Sequence, residues 1–237
     1  MTRPVLILQH LDADGPAYLA DWLQRAGRPF VVVNSAAGQP FPATLAGYGA
    51  LAILGGEMSA NDPLPGLRQA EALFREALRE GVPTLGHCLG GQLMARALGR
   101  PIGASPAPEV GWQPMAVADS PTARAWFGAP GEAMVYQWHY EAFALPEGAE
   151  HLAGSGACAH QAFAIGPHLG LQFHLEIDAE KLARWSTDDG ARYLGALAAH
   201  PGTVQTGAAM RTDAERHLAA HQRLADRVYA RWLTAAG

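Results

Sequence analysis

Short, unbroken apolar runs dominate the first part of the chain and restrict it to one kind of architecture. Residues 4–9 (PVLILQ), 29–34 (PFVVVN), 50–56 (ALAILGG) and 82–86 (VPTLG) have strand length and are bounded by turn residues. A strand without polar alternation must meet apolar neighbours on both faces, as the strands of a doubly covered parallel sheet do. Helix patterns separate these runs. Gly15-Pro16 opens AYLADWLQRAG, which stops at a glycine. Residues 64–81 place Leu67, Ala70, Leu73, Phe74, Ala77 and Leu78 at helical spacing with Glu and Arg opposite, and LGGQLMARAL at 89–98 is stopped by Gly99. Strand and helix in alternation predict an α/β fold.

The middle of the chain changes character. Residues 110–118, 134–138, 161–165 and 170–174 read as strands joined by turns, so an antiparallel extension of the sheet is expected there. From Thr203 onward one long helix is predicted, with Met210, Ala214, His217, His221, Leu224, Val228 and Trp232 as its stripe. That helix either packs back on the domain or forms a homodimer surface. Residues 1–200 are therefore expected to form one domain, with 201–237 its C-terminal helical extension. The fold class is α/β, a doubly wound, mostly parallel sheet of flavodoxin-like or Rossmann-like order, with ligands expected outside the carboxyl ends of the strands.

With 49% hydrophobic residues among 237, such a sheet can bury its core without metal or disulfide staples. The net charge is -5 and the 17 Lys and Arg are scattered, which gives no footprint for nucleic acid. The N-terminus lacks a signal-peptide pattern and no stretch has membrane-spanning length. The two cysteines, Cys88 and Cys158, read as reduced thiols, so a cytoplasmic location is expected. Cys158 is read as a small buried thiol without a chemical role.

The chemical signal is Gly86-His87-Cys88-Leu89-Gly90, a G-x-C-x-G between a predicted strand and a predicted helix. This is a nucleophile elbow carrying Cys. The glycines permit the sharp bend, and the helix start beyond it offers free N–H groups, that of Leu89 first, and a partial positive charge that favours an anion. A thiol nucleophile needs a base and a group to orient the base. Gln172-Phe173-His174-Leu175-Glu176 supplies both at i,i+2 spacing, so that the two side chains leave one face of an extended segment. Cys88, His174 and Glu176 are the expected triad: His174 moves the proton and Glu176 holds the imidazole tautomer.

Taken in order, GGEMSAND, GHCLGGQLMARALG and LQFHLEID resemble the oxyanion-loop, nucleophile and His-x-Glu segments of the class I glutamine amidotransferase family. EVGW at 109–112 and QWHYEAF at 137–143 are similar to stretches of its stand-alone members, which are related to the amidotransferase half of GMP synthase. The resemblance implies attack by Cys88 on the side-chain amide of glutamine or another γ-glutamyl compound, passing through a thioester. It implies an oxyanion hole from the N–H groups of Gly56 and Leu89. Gln92, Trp138 and His139 are implied as substrate-binding positions, the last two through their backbone. It calls for no cofactor or metal, and any ammonia-accepting synthase would be a partner on another chain. Running the same three residues on a different leaving group gives a hydrolase of γ-glutamyl peptides or amines. A catalytically silent module that senses a metabolite is the reading from another class.

Two positions depart from the family pattern, Glu57 where Pro is usual and Gly91 where His is common. Other pairings read as structure. Asp12-Ala13-Asp14-Gly15 lacks the later ligands of a calcium loop and is expected as a helix-start turn. His217 and His221 lack the intervening Glu of zinc peptidases and are expected in packing or at the surface.

Overall fold

In the computed structural model, which describes residues 2–234, the apolar runs become parallel strands. β1 (Val5–Gln9) lies between β2 (Phe30–Asn34) and β3 (Ala50–Ile53), and β3 pairs with β4 (Thr84–His87). The fifth parallel strand, β9 (His168–Leu171), arrives from far along the chain to lie beside β4. The order β2-β1-β3-β4-β9 is flavodoxin-like.

β1 shows why these strands carry no polar alternation. Val5 and Ile7 enter one core with α1 (Tyr18–Arg25) and α7 (Gly207–Thr234), while Leu6 and Leu8 enter the other with α2 (Pro65–Glu80) and α3 (Leu89–Ala97). Burial of each such side chain stabilises the fold by roughly 1.5–3 kcal/mol. A polar residue at any of the four would break one of the two cores.

Beyond β9 the sheet turns antiparallel through β8 (Ala162–Ile165), β7 (Glu150–Gly154), β5 (Ile102–Val117) and β6 (Gly131–Phe143), giving nine strands in one mixed sheet. The β5–β6 ribbon is longer than its sequence pattern predicts. Its register shifts between Ala104 and Glu109, where Pro106 and Pro108 have no N–H to contribute and interrupt the strand signal. β7 and three helices, α4 (Pro121–Phe127), α5 (Ala179–Trp185) and α6 (Ala191–Ala199), were not anticipated. Two of these helices did carry a start signal: the side chains of Ser120 and Asp178 cap α4 and α5.

Two boundaries differ from expectation. The strand expected over 170–174 ends at Leu171, because His174 N–H bonds to the Tyr136 carbonyl of β6, 2.9 Å away, and draws the chain off the sheet. The terminal helix starts at Gly207 rather than at 203. Thr203 and Gln205 instead bond to both sides of Val110 in β5, each at 3.0 Å.

The buried stripe of α7 runs through Met210, His221, Ala225, Val228, Tyr229 and Trp232, and the helix packs on α1, α4, α5 and the β5–β6 ribbon. Its apolar face is thus covered by this chain itself. Among the described residues no helix is long and apolar enough to cross a membrane.

Candidate active site

The loops that follow β1, β3, β4 and β9 meet at the carboxyl edge of the parallel strands and bring Asp14, Gly56, Cys88 and His174 to one cavity of about 660 Å³. This is the edge where a flavodoxin-like order places ligands.

Cys88 caps α3 with φ 47° and ψ -107°, a positive φ that only Ala17 shares among the described non-glycine residues. Holding an L-residue there costs about 1–3 kcal/mol. Close packing of α3 on the sheet maintains it. A Cβ on Gly90 would collide with the Ile53 carbonyl, and one on Gly91 with the backbone of Leu171. The Gly91 departure therefore has a structural reason: a His there would lift α3 off β9. Cys88 as a residue is 6% exposed, and its sulfur has the Trp138 carbonyl and the Gln172 amide nitrogen each 3.6 Å away.

His174 and Glu176 are buried beside it. Nδ1 of His174 lies 2.7 Å from Glu176 Oε1, so the imidazole donates from Nδ1 and leaves Nε2 without a partner among the described residues. Burial pulls the imidazole pKa down, but the Glu176 carboxylate and then the Cys88 sulfur outweigh it and raise it to about 10. Three contacts hold the ring and its backbone. Trp185 meets the ring edge-on with centroids 4.8 Å apart, Nε2 of His221 lies 2.9 Å from the His174 carbonyl, and a Cβ on Gly55 would come within 2.9 Å of His174 Cε1.

The remaining expected residues gather at the same cavity. A Cβ on Gly56 would lie 2.7 Å from Leu89 Cδ2, so the two expected oxyanion positions are neighbours. Gln92 lines the cavity and donates to the Glu141 carbonyl at 2.9 Å. Trp138, His139 and Glu57 line it too. The side chain of His139 turns away to Glu109, 3.0 Å from Oε2.

Several residues at the site escaped sequence reasoning. Glu176 Oε1 also accepts from Lys181 Nζ at 3.3 Å, and Lys181 lies 2.6 Å from Asp14. The expected helix-start turn at 12–15 thus sends its second aspartate inward. His87 is fully buried with Nε2 3.8 Å from Glu176 Oε2, and burial lowers its pKa to about 4, so it is neutral at neutral pH. Segment 184–193, which includes Arg184, Asp188 and Arg192, forms one cavity wall. Only the caps at Asp178 and Gly190 marked this region in the sequence.

Glu109, His139 and Cys158 form the one cluster among the described residues with metal-ligand character. The Glu109 carboxylate in it is already engaged by hydrogen bonds. The Glu109 carboxylate accepts from Ser155 at 2.8 Å and from Gln161 at 2.6 Å, besides facing His139, and burial pushes the Cys158 thiol up to about 11. The cluster serves as a polar brace behind the cavity wall.

Comparison with known proteins agrees with this architecture. Residues 19–184 match the family described as glutamine amidotransferase class-I. A glutamine amidotransferase-like protein of Salmonella typhimurium, YfeJ, is 29% identical over 173 residues, 69% of this chain and 71% of that one. A glutamine-hydrolysing GMP synthase of Aeropyrum pernix is 35% identical over 123 residues, 50% of this chain but only 23% of the synthase. Among solved structures, a glutamine amido transferase from Methylobacillus flagellatus superposes with a TM-score of 0.93 at 36% identity, covering 99% of this chain and 96% of that one. With the family pattern spanning most of its length, the chain belongs to the class-I glutamine amidotransferase family.

Proposed function

We propose that the protein hydrolyses the side-chain amide of glutamine with Cys88 as nucleophile, His174 as acid and base, and Glu176 as the group that orients His174. Behind this reading stands the strained Cys88 backbone at the start of α3, facing the same cavity as the buried His174–Glu176 pair.

Cys88 gives its proton to Nε2 of His174, and the sulfur attacks the amide carbon, forming a C–S bond and a tetrahedral oxyanion between the N–H groups of Gly56 and Leu89. His174 passes a proton from Nε2 to the amide nitrogen, the C–N bond breaks, and ammonia leaves a thioester behind. Water then gives a proton to His174 and attacks the thioester. The C–S bond breaks, glutamate departs and the thiol is restored. Gln92 and the backbone at Trp138 and His139 hold the amino-acid end of the substrate.

Volume favours a second reading. The cavity of about 660 Å³ leaves room for a leaving group larger than ammonia, so a γ-glutamyl amine or peptide would run through the same steps.

An assay of glutamate release from glutamine, γ-glutamyl dipeptides and γ-glutamyl amines tests both. Cys88→Ala should lower the active reaction by at least about 10³-fold. Release from glutamine only after a partner enzyme is added would mark a synthase subunit. Equal behaviour of wild type and Cys88→Ala on every substrate would replace the enzyme by a binding module.

A further inference from the structure

Behind the candidate nucleophile the structure holds a row of alternating charge. From the cavity it runs inward through His174 and Glu176 to Lys181 and returns to the cavity wall at Asp14, linked by the 2.7 Å contact of His174 with Glu176, the 3.3 Å bond from Lys181 to Glu176 and the 2.6 Å contact of Lys181 with Asp14. Lys181 is 2% exposed and Glu176 0%. A lysine is almost never buried unless paired, and a buried carboxylate without compensation takes up a proton instead of staying charged.

We propose that Lys181, anchored by Asp14, is a positioning residue for the His174–Glu176 pair: its ammonium keeps the buried Glu176 ionised and so sets the pH below which Cys88 ceases to act as a nucleophile. This rests on the reading of Cys88, His174 and Glu176 given above. The local structure is arranged for it. The Asp178 carboxylate caps α5 by accepting from the Lys181 N–H at 2.7 Å, which directs the lysine toward the sheet. One turn later the same helix presents Trp185, whose ring lies 5.1 Å from Lys181 Nζ and edge-on to His174. A seven-residue helix thereby carries both the cation that serves Glu176 and the aromatic wall that confines the imidazole.

Apart from His174 itself, Lys181 is the one cation that the groups packed around Glu176 supply among the described residues. His87 on β4 and His221 on α7 are both held neutral by burial, each lowered to about 4. Tyr229 on α7 is kept protonated by burial. Burial by itself would raise Glu176, yet it is held well below its usual range, first by Lys181 and then by His174.

The signs that follow are opposite for the two ends of the row. Replacing Lys181 by Met removes a positive charge, raises the proton affinity of the His174–Glu176 pair, and moves the acid limb of activity to higher pH by about one unit. Asp14→Asn removes a negative charge at constant shape and moves the limb to lower pH by a few tenths of a unit. Lys181→Arg keeps the charge and should restore the wild-type limb.

The test measures the rate at which iodoacetamide alkylates Cys88 in the folded protein from pH 4 to 9, read by peptide mass spectrometry with Cys158 as internal control, alongside kcat/KM on the active substrate. Opposite shifts of the two limbs in Lys181→Met and Asp14→Asn support the proposal. Limbs that coincide with wild type in both overturn it. Should Lys181→Met fail to fold, Asp14→Asn decides: a limb moved to lower pH, with Lys181→Arg keeping the wild-type limb, supports the proposal, and an Asp14→Asn limb that coincides with wild type overturns it. Alkylation needs no substrate, so a protein that hydrolyses nothing would sink the proposed function while this measurement still judged the role of Lys181.

Discussion

Gly55 confines the His174 ring of the proposed triad from the side opposite Trp185. The His174 ring is wedged between Trp185 and the Gly55 backbone, with a Cβ at 55 reaching to 2.9 Å from its Cε1. Gly55→Ala should swing the imidazole out of line with the sulfur and lower kcat/KM by on the order of 10²-fold. The melting temperature should change little, which circular dichroism would check; an alanine variant with full activity would mean that the ring is free to move. The two thiols make a matched pair at the same scale. Cys88 faces the cavity, whereas Cys158 is 2% exposed and pushed up to about 11 by burial. Iodoacetamide at neutral pH should therefore label Cys88 alone.

Elements position this site in two ways. The parallel strands set where each loop ends, and the helices beyond them hold the loops in place. α5 depends on one cap, Asp178, so Asp178→Ala should cost about 1 kcal/mol in urea denaturation and disturb the alkylation profile of Cys88 by loosening Lys181. The long helix α7 acts at greater distance. Trp232 is fully buried against the sheet, and His221, nearly three turns earlier, bonds to the His174 carbonyl. Trp232→Ala should cost about 3–5 kcal/mol, with loss of folded protein preceding any selective loss of chemistry. A variant that kept its stability but lost activity would assign α7 a role other than packing.

For the molecule as a whole, buried histidines dominate the dependence of stability on pH. His10, His87, His168 and His221 are all lowered by burial to about 4. An unfolded chain takes up these protons near pH 6.5, so from 6.5 down to about 4 it binds more protons than the folded one and stability falls with pH. The depressed carboxyl of Glu176 adds to the loss on the acid side. His174 works the other way. Despite its burial, Glu176 and Cys88 raise it to about 10, so its contribution is complete below 6.5 and is lost as pH rises through 10. Cys158 adds to that alkaline loss, since the unfolded thiol ionises near pH 9 and the folded one at about 11. Urea midpoints measured across pH should peak near 6.5 and fall more steeply toward acid. A flat profile between pH 4 and 6.5 would show that these imidazoles are hydrated in the folded state.

Local patterns in the sequence determined much of this protein. β1 to β4 and α1 to α3 follow from unbroken apolar runs, helical spacing and glycine stops, all of which act over a few residues. Cys88 stands out by its flanking glycines, and His174 with Glu176 by i,i+2 spacing. What local signals could not carry was decided by the tertiary structure. Pro106 and Pro108 conceal the first half of β5, and the bond from His174 to Tyr136 that ends β9 joins residues far apart in the chain. Lys181 and Asp14 look like ordinary surface charges until folding sets them 2.6 Å apart, and nothing in the sequence near His221 points to the His174 carbonyl. The physical reason is range. Periodicity and capping are satisfied within one element, whereas a buried charge is tolerated only where a partner from elsewhere in the chain arrives to meet it.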